Sequence, residues 1–158
     1  MMEEVSARLH ELLTQHSVEY RQIEHEPTTT SEESARVRGE SLAIGAKALL
    51  LKTDEVFRLF VLPADRQLDS KSVKQELGAK NVRFASREEL LELTGLVPGS
   101  VPPFGSPIFS FELYGDTAIG TVEDKVAFNA GALTLSFVMK ASDWNAVAKP
   151  TQFAFSKH

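Results

Sequence analysis

Lys47 lies in Gly45-Ala46-Lys47-Ala48-Leu49-Leu50-Leu51, a run otherwise made of small and apolar residues. A lysine there has two readings. It is the first residue of a strand with its ammonium in water, or a cation aimed into a cavity to bind phosphate or a polar ester. Further along, Leu93 to Gly105 carries three glycines and three prolines within eleven residues. Proline fixes φ and removes donors, while glycine frees φ and lets a ligand approach the backbone. Such a stretch is a shaped loop, and shaped loops on rigid scaffolds often bind ligands. The N–H groups of Gly99, Ser100, Val101, Phe104 and Gly105 can hold a carbonyl or a developing oxyanion. The competing reading is a tight structural turn.

Other chemistries find little support. His10, His16, His25 and His158 show no paired metal-ligand spacing. Zero cysteines exclude disulfides, thiol catalysis and thiolate metal sites. No Gly-x-Ser-x-Gly elbow is present, and Ser100 lacks the strand-to-helix context of a nucleophile. Dinucleotide and Walker A loops are absent. No metal and no cofactor are expected.

The elements that must position these residues are short. Val5, Leu9, Leu12, Leu13 and His16 follow helical spacing, and Val18 to Ile23 alternates like a strand. Thr30-Ser31-Glu32-Glu33 predicts a capping box for a helix closed by Gly39. Ala48 to Lys52 and Val56 to Leu62 predict a hairpin through Thr53-Asp54-Glu55. Lys47, Leu49 and Leu51 would then share one face. Ser70 to Leu77 reads as a helix ending at Gly78, and Ser86-Arg87-Glu88-Glu89 as a capping box for a helix through Leu93. Pro107 to Leu113, Thr117 to Val122 and Leu133 to Lys140 read as strands, Phe128 to Gly131 as a turn, and Ser142 as the cap of a last helix around Trp144 and Val147. Strands mixed with irregularly placed helices argue an α+β domain with a mixed sheet.

At 158 residues, 42% hydrophobic and 25% charged, the chain reads as one soluble domain over 1–158. No apolar run is long enough to cross a membrane, and the acidic start is unlike a signal peptide; a cytoplasmic location is expected. The net charge of −5 argues against a general nucleic-acid coat. Lys71, Lys74, Lys80, Arg83 and Arg87 nevertheless fall within seventeen residues, with Glu76 as the only acid among them. That stretch is either a solvated helix and turn or a local phosphate-facing patch.

Four segments in order resemble the YbaK/prolyl-tRNA synthetase-associated family of aminoacyl-tRNA editing domains. They are Glu24-His25-Glu26-Pro27 with Thr30 through Ala35; Gly39 through Leu49; Gly99-Ser100-Val101-Pro102-Pro103-Phe104-Gly105; and Phe128-Asn129-Ala130-Gly131 with Lys140 to Asp143. Arg38 to Leu42, Gly45 to Leu49 and Phe128 to Leu133 look most like the free-standing branch that deacylates Ser- or Thr-tRNA; sister branches clear Ala- or Cys-tRNA(Pro). The resemblance implies a mixed, mainly antiparallel, barrel-like sheet surrounded by helices, with one cleft. It implies hydrolysis of an aminoacyl-tRNA ester without metal or protein nucleophile. Lys47, Gly99 and Ser100 would be catalytic. His25, Thr30, Ser31, Val101, Pro102, Pro103, Phe104, Gly105, Asn129 and Gly131 would bind substrate, and Lys71, Lys74, Lys80 and Arg83 the tRNA. The implied partners are the aminoacyl-tRNA acceptor end and a synthetase, with neither membrane nor DNA. Two other readings stay open: a non-catalytic aminoacyl-tRNA or synthetase-binding module, and an esterase for small non-tRNA esters.

Overall fold

A computed structural model describes residues 2–158. The amphipathic α1 (Met2–Gln15) buries Val5, Leu9, Leu12 and Leu13 in the main core, as its spacing predicts. β1 (Tyr20–Glu24) follows it. α2 (Ser31–Arg38) begins at Thr30, whose hydroxyl accepts the Glu33 N–H, and ends on Gly39 in the left-handed region. The hairpin of β2 (Ala46–Thr53) and β3 (Val56–Pro63) turns through Asp54-Glu55. The Asp54 carboxylate accepts the N–H groups of Lys80 and Asn81 and so ties down the entry to β5 (Val82–Phe84).

Three sheets result. A mixed sheet runs in the order β5-β2-β3-β6-β9, where β6 is Leu113–Asp116 and β9 is Thr151–Phe153. β2 is antiparallel to both neighbours, while β6 is parallel to β3 and to β9. An antiparallel sheet runs β1-β8-β7, with β7 at Val126–Asn129 and β8 at Leu135–Met139. β4 (Gln67–Leu68) pairs with β10 (Ser156–Lys157). A parallel bridge between Gly45 and Ala127 joins the first two sheets. The ladders thus give the expected α+β domain with mixed, mainly antiparallel sheets. Among the described residues no helix is long and apolar enough to cross a membrane.

α3 (Ser70–Leu77) and α4 (Arg87–Thr94) form as predicted, and α4 carries the full reciprocal capping box of Ser86 and Glu89. Four expectations fail. Residues 107–112 are turns, not a strand: Ile108 and Phe109 are buried, and their N–H groups donate to the Gly105 carbonyl. Residues 117–122 are turns too, started by Asp116, which accepts the Ala118 and Ile119 N–H groups. Phe128 lies inside β7, whose four residues are all buried, so the turn comes after Asn129. Ser142 lies within α5 (Ala141–Ala148), whose N-cap is Lys140, and its hydroxyl donates to Asp124.

Candidate active site

The bridge at Gly45 fixes the site. A Cβ on Gly45 would lie 2.8 Å from the Cβ of Ala64, so only glycine lets β2 start this close to the end of β3. Lys47 follows on β2, and Asn129 at the end of β7 comes beside it. The N-cap of α2 supplies Thr30 and Ser31, the last residue of α2 supplies Arg38, and the first of α4 supplies Arg87. These groups, with Val97, Gly99 and Val101 of the loop, line one cleft of about 580 Å³. Among the described residues its charged lining is Arg38, Lys47 and Arg87, with no carboxylate.

Lys47 is half-buried, and burial pushes its pKa below the ordinary lysine value; Asp65 and Glu32 oppose that shift from a distance. No ion pair engages it among the described residues. Arg38 is 8% exposed. Burial pushes its guanidinium down to about 10. Its partners are neutral: Nε–H donates to Ser136 Oγ (2.9 Å) and Nη2 to Asn129 Oδ1 (3.2 Å). Asn129 Nδ2 in turn donates to the Gly99 carbonyl at 2.8 Å.

The glycine-proline loop is pinned to the core. Phe104 is 1% exposed and packs edge-on against Phe128. The Trp144 indole donates to the Pro103 carbonyl at 2.8 Å. Gly99 adopts a φ of 88°, where a side chain would be strained.

Of the residues predicted from sequence, Lys47, Gly99, Thr30, Ser31, Val101 and Asn129 come together in the cleft. Ser100 does not line it: the residue is fully buried and its hydroxyl donates to the Val97 carbonyl. Pro102, Pro103, Phe104 and Gly105 are buried behind the loop, and Gly131 N–H donates to the Ser100 carbonyl. Two of the expected loop donors are also engaged, Ser100 N–H by Val97 and Phe104 N–H by Pro102. Gly99 and Val101 line the cleft, and among the described residues no hydrogen bond engages their N–H groups. His25 stands behind Asn129, its Nε2 2.8 Å from Ser136 Oγ and its Nδ1 2.8 Å from the Glu26 carbonyl. Lys71, Lys74, Lys80 and Arg83 are exposed and do not line the cleft, and Arg83 pairs with Glu89.

Sequence reasoning missed Arg38 as a cleft residue and placed Arg87 only in the basic stretch. The signal for Arg87 was available, because a capping box fixes its position as the first residue of a helix. Arg38 looks like an ordinary cation in the last turn of a polar helix.

Comparison with known proteins shows the family of this chain. A family model described as the aminoacyl-tRNA editing domain matches residues 25–146. The multifunctional Ser/Thr-tRNA deacylase ProXp-y of Escherichia coli K12 is 34% identical over 154 residues, covering 95% of this chain and 92% of the relative. A proline–tRNA ligase of Shouchella clausii is 35% identical over 94 residues, 60% of this chain but 16% of the ligase. The solved structure of a candidate trans-editing enzyme for prolyl-tRNA synthetase superposes with a TM-score of 0.79 over 98% of both chains, at 22% identity. The chain belongs to the aminoacyl-tRNA editing domain family.

Proposed function

We propose that this protein is a trans-editing aminoacyl-tRNA deacylase that hydrolyses the ester of Ser- or Thr-tRNA. The observation that carries the reading is the charge of the cleft: in a chain of net charge −5, its charged lining is three cations and no acid. Such a cleft suits the anionic terminal nucleotide of a tRNA. The kinship with a Ser/Thr-tRNA deacylase over nearly the whole chain supports the substrate class.

An aminoacyl ester is already activated, so positioning and oxyanion stabilisation supply most of the needed rate. Lys47 and Arg87 hold the terminal phosphate end. The Gly99 and Val101 N–H groups face the ester carbonyl. A water, activated with help from a hydroxyl of the substrate, adds to that carbonyl. The bond to the ribose oxygen then breaks, that oxygen takes a proton, and free amino acid and tRNA leave. Thr30 and Ser31 offer hydroxyl partners to a serine or threonine side chain, and a site built for that group rejects analogues lacking it. Occurrence of a related segment within a proline–tRNA ligase supports a synthetase as docking partner.

The test is a panel of Ser-, Thr-, Ala-, Cys- and Pro-tRNA incubated with the wild type and Lys47→Ala. Loss of Ser- and Thr-tRNA by the wild type alone is the expected result. Clearance of only Ala- or Cys-tRNA would overturn the substrate choice, and no clearance by a folded protein would overturn the deacylase itself.

A further inference from the structure

Arg38 is a charge buried without a counter-charge. Buried ions are ordinarily paired, because desolvation costs several kcal/mol per ion. No carboxylate pairs with its guanidinium among the described residues. What it meets instead is a cross-strand pair. Asn129 on β7 and Ser136 on β8 are register partners, and Arg38 donates to both. Ser136 Oγ also donates to Asn129 Oδ1 at 3.1 Å. With its oxygen taken twice, the carboxamide has one orientation left, which aims Nδ2 at the Gly99 carbonyl.

That carbonyl belongs to the peptide unit joining Gly99 to Ser100. The same unit's N–H, on Ser100, donates to Val97, and the following Ser100 carbonyl accepts Gly131 N–H at 2.9 Å. Both polar groups of the unit are therefore held, the carbonyl through Asn129 and the N–H by Val97. The N–H groups flanking it, on Gly99 and Val101, are those left over for a ligand. A planar guanidinium offers two N–H directions in a fixed fork, which suits two acceptors on adjacent strands; a lysine ammonium has no such fork.

We propose that Arg38 is a positioning residue of the deacylation reaction, acting through Asn129 to fix the Gly99–Ser100 peptide and the donors beside it. This rests on the deacylase reading above. A donor displaced by about an ångström costs on the order of 100-fold in rate. Its loss falls on the chemical step and leaves substrate binding nearly intact.

The experiment compares wild type, Arg38→Lys, Arg38→Ala and Asn129→Ala in single-turnover deacylation of Thr-tRNA. Expected is a fall in the maximal rate of about 100-fold for each variant, with half-saturation within about threefold of wild type. Millimolar guanidinium chloride should restore Arg38→Ala by roughly tenfold and leave Asn129→Ala unchanged, a response a merely structural arginine would not give. Amide hydrogen exchange at Ser100 and Gly131 supplies a readout independent of activity and should be faster by about tenfold in Arg38→Lys. Unchanged rates, or unchanged exchange at those two amides, would overturn the proposal. A wild type inert on every aminoacyl-tRNA of the panel would defeat the deacylase reading, and the exchange comparison would still decide whether Arg38 holds the loop.

Discussion

At the scale of single residues, Lys47 carries a conflict between folding and function. Its ammonium is drawn half out of water, and burial lowers its pKa from 10.5 in the folded state. The unfolded chain therefore holds the proton more tightly. The charged lysine opposes folding at neutral pH, and this penalty fades as pH rises through the folded value towards 10.5. Lys47→Met should abolish deacylation yet raise the melting temperature at about pH 7.5, and the gap to wild type should close as pH approaches the ordinary lysine range. A variant that melts lower than wild type at neutral pH would contradict this account. Lys47 was legible in the sequence because a lone cation interrupts an apolar run. Arg38 was not, because its burial is created by β7 and β8, residues ninety or more positions away. Ser100 sits inside the loop motif, but its N–H and its hydroxyl both donate to the Val97 carbonyl, an engagement set by the folded loop and not by the residue types.

Elements were legible where local chemistry decides them. The Thr30 and Ser86 caps, the left-handed Gly39 and Gly78 stops, and the β2–β3 hairpin all form as the sequence predicts. The failures lie where tertiary context overrides a pattern. Residues 107–112 form turns and bends in which Ile108 and Phe109 alone are buried, and a short apolar run does not by itself separate a strand from another locally buried segment. β4, β5, β9 and β10 span only two or three residues each, too short to show a period. The cap on α4 has a functional corollary, since Arg87 is the first residue of that helix and lines the cleft. Ser86→Ala should cost about 1 kcal/mol, or roughly 2–4 °C in melting temperature, and weaken tRNA binding more than it slows the chemical step. The capping acid Glu89 is held down to about 2, first by Arg83 and then by the Ser86 N–H. That contribution is present above 4.5 and lost as pH falls towards 2, so Glu89→Gln should destabilise at neutral pH and match wild type in strong acid.

For the whole molecule, the question is how a protein of net charge −5 holds a polyanion. A generally acidic surface repels tRNA, while the cleft concentrates Arg38, Lys47 and Arg87 with no acid among them. Arg38 is occupied by Asn129 and Ser136, which leaves Lys47 and Arg87 for phosphate. Each phosphate neutralised on a single strand contributes about −0.7 to the slope of log affinity against log salt, so two contacts predict about −1.4. Doubling the salt should then weaken binding by about 2.6-fold, far less than for a protein that coats nucleic acid. Arg87→Gln should bring the slope to about −0.7. The basic stretch enters as a rival contribution: were Lys71, Lys74 and Lys80 all on the acceptor duplex, each would add about −0.9 and the slope would reach about −4. Measuring half-saturation of deacylation from low to moderate salt, for wild type, Arg87→Gln and the triple lysine-to-glutamine variant, separates the two. A shallow slope that halves with Arg87→Gln assigns the grip to the cleft. A steep slope that collapses only in the lysine variant would move the tRNA footprint onto α3 and the turn after it and take Arg87 out of the binding surface.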